Sequence, residues 1–234
     1  MSKSLQKSAD SQSTIALVVK LGRTSDNSAV TRLAKRMASD RLCATWGITG
    51  VGQLRLVEQI RPEQREIAID IATVGDVEQV SKRLELIKTN TTEFSSVLAN
   101  ESQLRRCVSL SNQTDISAAL VEDSAANGPR QAGPGLWKFS PGLELPATAK
   151  WPRLFKPNSA RKLKDLQSEG SAVVKIDLEK MAASSQGGRQ VDRLLTKLAW
   201  AQQNGVRVAT LSELAAIHAE RTAVRPQKSI LRAA

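Results

Sequence analysis

The residues of this 234-residue chain that could do chemistry are few and far apart. His218 is the only histidine, so a Ser-His-Asp or Cys-His triad would have to use it. It falls on the last predicted helix, outside every motif, where packing or surface exposure is the plain reading. Cys43 and Cys107 each sit beside a predicted strand among apolar neighbours. Such surroundings raise a thiol pKa and mark reduced structural thiols rather than nucleophiles or a disulfide framework. No zinc-finger spacing, GxGxxG or GxxxxGK[ST] loop occurs, which argues against finger-type metal sites and nucleotide binding. What remains is a set of charged residues near predicted strand ends: Lys20, Asp70, Arg106, Lys138, Lys175 and Asp177. Asp70 and Asp177 are the carboxylates available for glycosidase-like acid-base work, and Lys20 is the amine available for a lysine-based mechanism. Convergence of Lys20, Lys138 and Lys175 would make a cationic pocket for a carboxylate, sulfate or phosphate group. Trp46 and Trp137 could add stacking faces for a sugar. Taken singly, each Trp reads first as core and each Lys as snorkelling to solvent.

These residues need elements to hold them. Residues 15–19 are an apolar run of strand length, 28–39 an amphipathic helix with Val30, Leu33, Ala34 and Met37 on one face, and 42–48 a second strand. That is a βαβ unit, which implies a parallel pair with a right-handed crossover. The alternation continues with a short helix at 53–60, a strand at 66–72, a long helix at 77–99 with Phe94 on its inner face, a strand at 107–110 and a helix at 115–123. A Gly/Pro-rich loop is expected at 128–135, a strand at 136–139, an irregular loop at 140–158 and a basic helix at 159–169. The chain closes with a strand at 172–177, a helix at 189–204 with Leu198 and Trp200 or Ala201 inward, a strand at 206–209 and a helix at 211–221. About seven strands alternating with helices suit an α/β barrel or an open doubly wound sheet.

Composition bounds the class. An apolar fraction of 41% with four Trp excludes global disorder. No apolar stretch approaches the roughly 20 residues of a membrane helix, and residues 1–13 hold no apolar leader, so a cytoplasmic protein without membrane insertion is expected. The net charge of +11 favours polyanions. A chain with no Tyr and three Phe, however, offers few platforms for stacking bases. The expected organisation is a flexible tail at 1–12, one domain at 13–222 and a basic tail at 223–234.

Three stretches, in order, resemble the polysaccharide deacetylase family, carbohydrate esterases that act on chitin and peptidoglycan. Val18-Val-Lys-Leu-Gly22, a helix and Ala44-Thr-Trp-Gly-Ile-Thr-Gly50 are similar to the family's Thr-Phe-Asp-Asp-Gly and Ala-Thr-Phe-Phe-Val-x-Gly segments. Glu66-Ile-Ala-Ile-Asp70 resembles Glu-Ile-Gly-Asn-His. Asn204-Gly-Val-Arg-Val-Ala-Thr-Leu-Ser-Glu-Leu214 resembles the family's ending. The resemblance covers about half the chain and implies a distorted (β/α) barrel. It also implies that the catalytic base and metal-binding Asp fall on Lys20 and Leu21, the two metal His on Asp70 and Val74, and the general-acid His near Ile176. The roles are therefore vacant, and Lys20 would put a positive charge where a cation belongs.

The reading that follows is a non-catalytic deacetylase-like protein, needing no cofactor, that binds an acidic or acetylated saccharide or a protein partner at the barrel mouth. An enzyme with metal-independent hydrolase chemistry and a polyanion-binding protein are the alternatives.

Overall fold

The computed structural model describes residues 13–22, 27–72, 94–105, 116–123, 128–146 and 170–223, together with 82, 85 and 89. It opens with the expected βαβ unit: β1 (Thr14–Lys20), α1 (Asn27–Ser39) and β2 (Ala44–Ile48). All seven residues of β1 are buried, as a strand covered on both faces requires, and this is why it reads as a continuous apolar run. Ile15, Leu17 and Val19 face an outer core shared with Val30, Leu33 and Met37 of α1. Ala16 and Val18 face an inner core.

The chain continues through α2 (Val51–Glu58), β3 (Arg65–Asp70), β4 (Phe94–Ala99), β5 (Ala118–Val121), β6 (Arg130–Gly133), β7 (Leu136–Phe139) and β8 (Leu143–Leu145). Then come β9 (Ser171–Asp177), α3 (Leu178–Ala183), α4 (Gly187–Gln203), β10 (Arg207–Ala209) and α5 (Leu211–Ala223). The strands form one sheet in the order β6-β7-β5-β4-β3-β2-β1-β9-β8, with β10 beside the first half of β1. Every pairing is parallel except β6–β7. The sheet curls into a distorted barrel. Helices α1, α2 and α4 pack on its outer face, while Leu211, Leu214 and Ala215 of α5 fill its concave side against Ala68, Leu98 and Leu120.

The expected architecture stands, but the strand count and several elements differ. Ten strands appear among the described residues instead of about seven, and they are not all parallel. Phe94 starts β4 rather than extending a helix, because Phe94–Ala99 is buried on alternate faces between β3 and β5. Residues 118–121 form β5, not a helix, since a short apolar run with both faces covered satisfies its backbone in the sheet. The 128–135 loop contains β6, which pairs with β7 in a hairpin turned at Gly135. The irregular 140–158 segment contributes β8 through pairing with β9. On α4 it is Ala201 that is buried, whereas Trp200 is 62% exposed. Cys107 and the segments expected at 107–110 and 159–169 lie outside the described residues. Cys43 donates its Sγ–H to the Val208 carbonyl, and burial pushes its thiol up to about 11, as expected of a structural cysteine.

Candidate functional site

Parallel strands with a filled inner core deliver their last inward-facing residues to one rim. Lys20 follows Ala16 and Val18 on the inner face of β1, and Asp70 follows Ala68 on β3. Lys175 and Asp177 follow Val173 on β9. The register places Lys20 beside Asp177 and Lys175 beside Glu144 of β8. Glu122, one residue past β5, completes the rim. Gly22, just beyond Lys20, has a φ of +71°, and a Cβ there would lie 2.7 Å from the Glu179 carboxylate. The sharp exit from β1 therefore needs glycine.

These side chains form a continuous ionic network. Lys20 Nζ donates to Glu122 Oε1 at 2.7 Å and stands 3.6 Å from Asp70 Oδ2. Lys175 Nζ lies 3.2 Å from the same Glu122 oxygen and 3.3 Å from Glu144 Oε1. Lys180 of α3 reaches Glu144 as well, and its Nζ lies 3.8 Å from Asp177 Oδ2. Asp177 also caps α3 by accepting from the Lys180 backbone N–H. Asp70 Oδ1 accepts from the Ala72 N–H.

The electrostatics follow from these contacts. Burial pulls the Lys20 ammonium toward neutrality, but Asp70, Glu122 and Asp177 together outweigh it, and its pKa is raised. Burial likewise acts to raise the Glu144 carboxyl, yet Lys180 and Lys175 hold it below the ordinary value. Lys180 is raised, chiefly by its hydrogen bond to Glu144. Lys20 thus remains protonated at neutral pH, and a protonated amine is no nucleophile.

Four of the eight residues singled out in the sequence therefore meet: Lys20, Asp70, Lys175 and Asp177. They do not form the cationic pocket considered above, because Glu122 and Glu144 neutralise the lysines. The other positions lie elsewhere. Lys138 faces the outer layer and pairs with Glu101, since only alternate residues of β7 point inward. Trp46 is fully buried in the outer core. Trp137 is inner core, 5.5 Å from the His218 ring. Arg106 and Val74 are outside the described residues. His218 packs against Trp137 and Phe139 and shares a hydrogen bond with Ser171. Its pKa is lowered, first by burial and then by Arg221.

Sequence reasoning does not reach Glu122 and Glu144, because neither segment reads as a strand from its own residues. A carboxylate closing the run Ala118-Ala-Leu-Val-Glu122 is the signal that could have found the first.

The residues present do not fit the metal centre that the family resemblance implies. A metal site needs several N, O or S donors converging at about 2 Å. No group of three or more His, Cys, Asp or Glu is so placed among the described residues. Leu21, at the metal-binding Asp position, is fully buried in the outer core, and the Lys20 ammonium stands between Asp70 and Glu122. A cavity of about 310 Å³ does exist, but it lies at the opposite end of β3, beside Glu63, Arg65, Glu66 and Glu213.

No family model matches this sequence, and no curated protein matches it. Solved structures do. Peptidoglycan deacetylase PdaC from Bacillus subtilis shares 14% identity at a TM-score of 0.53, with 92% of this chain and 95% of that chain covered. A CE4 family pseudoenzyme from Bacillus anthracis shares 14% identity at a TM-score of 0.53, over 87% of this chain and 66% of its own. A mutant of that pseudoenzyme, with restored enzymatic activity, aligns at 15% identity and a TM-score of 0.53. The chain thus has the fold of the polysaccharide deacetylases, with an ionic network where the described rim would have to supply a metal site.

Proposed function

We propose that this protein is a non-catalytic deacetylase-fold protein that binds a saccharide, acidic or acetylated, or a protein partner at the barrel mouth. The observation that carries the reading is the Lys20 ammonium held between Glu122 and Asp70, where a hydrolytic metal would need negative and neutral donors alone. Non-catalytic examples of the fold exist. One of its solved examples is a pseudoenzyme, and another is a mutant of it with restored activity. A metal-independent hydrolase is less well supported, since the lysine it would use is charged and paired. A cytoplasmic location belongs to the same proposal. Among the described residues no helix is long and apolar enough to cross a membrane.

Metal analysis of the purified protein, with deacetylase assays on acetylated sugars, tests the reading. No bound zinc and no turnover are expected. Stoichiometric zinc, or turnover abolished by Asp70→Ala, overturns it.

A further inference from the structure

We infer that the outer face of α1 and α4 docks on an anionic phospholipid surface, with Trp200 as its apolar anchor. Trp200 is the one large hydrophobic side chain left exposed among the described residues, at 62%. It lies on a helix whose other face is well buried through Val191, Leu194, Leu195 and Leu198. Helix α1 runs alongside. Arg36 Nη2 donates to Thr196 Oγ1 at 3.2 Å, and Gln202 Nε2 donates to the Arg41 carbonyl at 3.4 Å. Trp200 follows Thr196 by four residues, so it sits one turn farther along the stripe that α1 touches.

The surroundings of this indole are cationic. On the α1 side Arg32, Lys35, Arg36 and Arg41 are exposed, with Asp40 as the only acid among the described residues 27–41. On α4, Arg189 and Arg193 are exposed and Lys197 is half-buried, with Asp192 as the only acid. Seven cations against two acids put the described residues 27–41 and 187–203 at +5, out of +11 for the whole chain. The ion pair of Arg36 with Asp40 is solvent-exposed and leaves that excess in place.

An exposed indole on a helical layer that also carries an excess of Lys and Arg is the chemistry of the lipid headgroup region, where the ring sits at the boundary and the cations meet anionic headgroups. A nucleic acid fits less well. Stacking along a single strand uses a row of aromatic side chains in a groove. Here one Trp stands on the outer helix layer of a chain with no Tyr and three Phe. The inference is independent of the barrel mouth and asks nothing of its residues.

The test is co-sedimentation of the full chain with vesicles of phosphatidylcholine alone and of phosphatidylcholine mixed with phosphatidylglycerol. Binding is expected to the mixed vesicles only and should weaken as salt rises. Arg193→Glu with Lys197→Glu should reduce partitioning roughly tenfold or more. Trp200→Ala should reduce it roughly fivefold at constant charge. Arg105→Glu with Arg130→Glu removes the same charge elsewhere on the exposed surface and should leave binding within about twofold. All these side chains are solvent-facing or half-buried, and circular dichroism checks that each variant folds. Failure to bind mixed vesicles, an equal loss from both charge-reversal pairs, or capture of a single-stranded oligonucleotide while vesicles are ignored would each overturn the inference.

Discussion

Lys20 and Glu122 are 102 residues apart in the chain, yet the lysine ammonium donates to the glutamate at 2.7 Å. Their strands, β1 and β5, are separated by β2, β3 and β4 in the sheet. Only the curl of the sheet brings the two strand ends within reach, so the pair is a direct mark of that curl at the mouth. Lys175 meets the same carboxylate oxygen from β9.

This pair predicts an asymmetric mutational response. Lys20→Met takes the ammonium away from both Asp70, whose side chain is fully buried, and Glu122. Removing one partner of a buried ion pair typically costs about 3–5 kcal/mol, and the lower end is expected here because Lys175 still serves Glu122. Lys20→Met with Glu122→Gln should be less destabilising than the sum of the single changes, by about 1 kcal/mol or more. Urea unfolding of the four proteins measures this. Strict additivity would mean that the network does not act as a unit.

The same network sets a pH window. Lys20 is raised above the ordinary lysine value of 10.5 in the folded protein. Its contribution is therefore fully present below that value and is lost as pH rises through the higher folded value. Glu144 is lowered from the ordinary 4.5. Its contribution is present above 4.5 and is lost as pH falls through the lower folded value. Thermal melting followed across pH should show a plateau between these limits with a fall on either side. In the Lys20→Met protein the alkaline fall should shrink while the acid fall persists. An unchanged alkaline limb would show that Lys20 does not contribute to it.

Much of this was legible in the residues, for definite reasons. β1, α1, β2, β3, β9 and α4 are long enough for their periodicity to speak. Their strand ends then point to Lys20, Asp70, Lys175 and Asp177. The two glutamates that complete the rim were hidden by local ambiguity. The run ending at Val121 is too short for periodicity to separate helix from strand. β8 has three residues and is a strand only because β9 pairs with it. Three lysines near strand ends therefore suggest a cationic pocket, while the carboxylates that neutralise it come from segments whose residues alone suggest a helix and a loop. Trp200 was ambiguous for a related reason. It adjoins Ala201 on the helix, and only the packing of α4 decides which of the two faces inward.

The opposite end of the barrel carries a second polar cluster, part-buried around Glu66, and it predicts how α5 is held. Glu66 Oε2 accepts from the backbone N–H groups of Leu211 at 2.9 Å and Ser212 at 3.2 Å, and from Thr45 Oγ1 at 2.6 Å. Its other oxygen accepts from Ser95 at 2.9 Å and also from Ser96. One carboxylate thus ties β2, β3 and β4 to the start of the helix that fills the concave face. A negative charge at a helix N-terminus is favourable, and the orphan N–H groups there need acceptors. Glu66→Ala should cost about 2–3 kcal/mol, because Thr45, Ser96 and Ser212 lose an acceptor at once, while the Leu211 N–H keeps Thr45 Oγ1 at 2.8 Å. Glu66→Gln should recover only part of that loss, since its NH₂ must face donors on one side. Hydrogen exchange distinguishes this from a uniform loss of stability. Amides of α5 should lose protection well before those of β1, so an equal drop in both elements would show that Glu66 does not hold the helix in place.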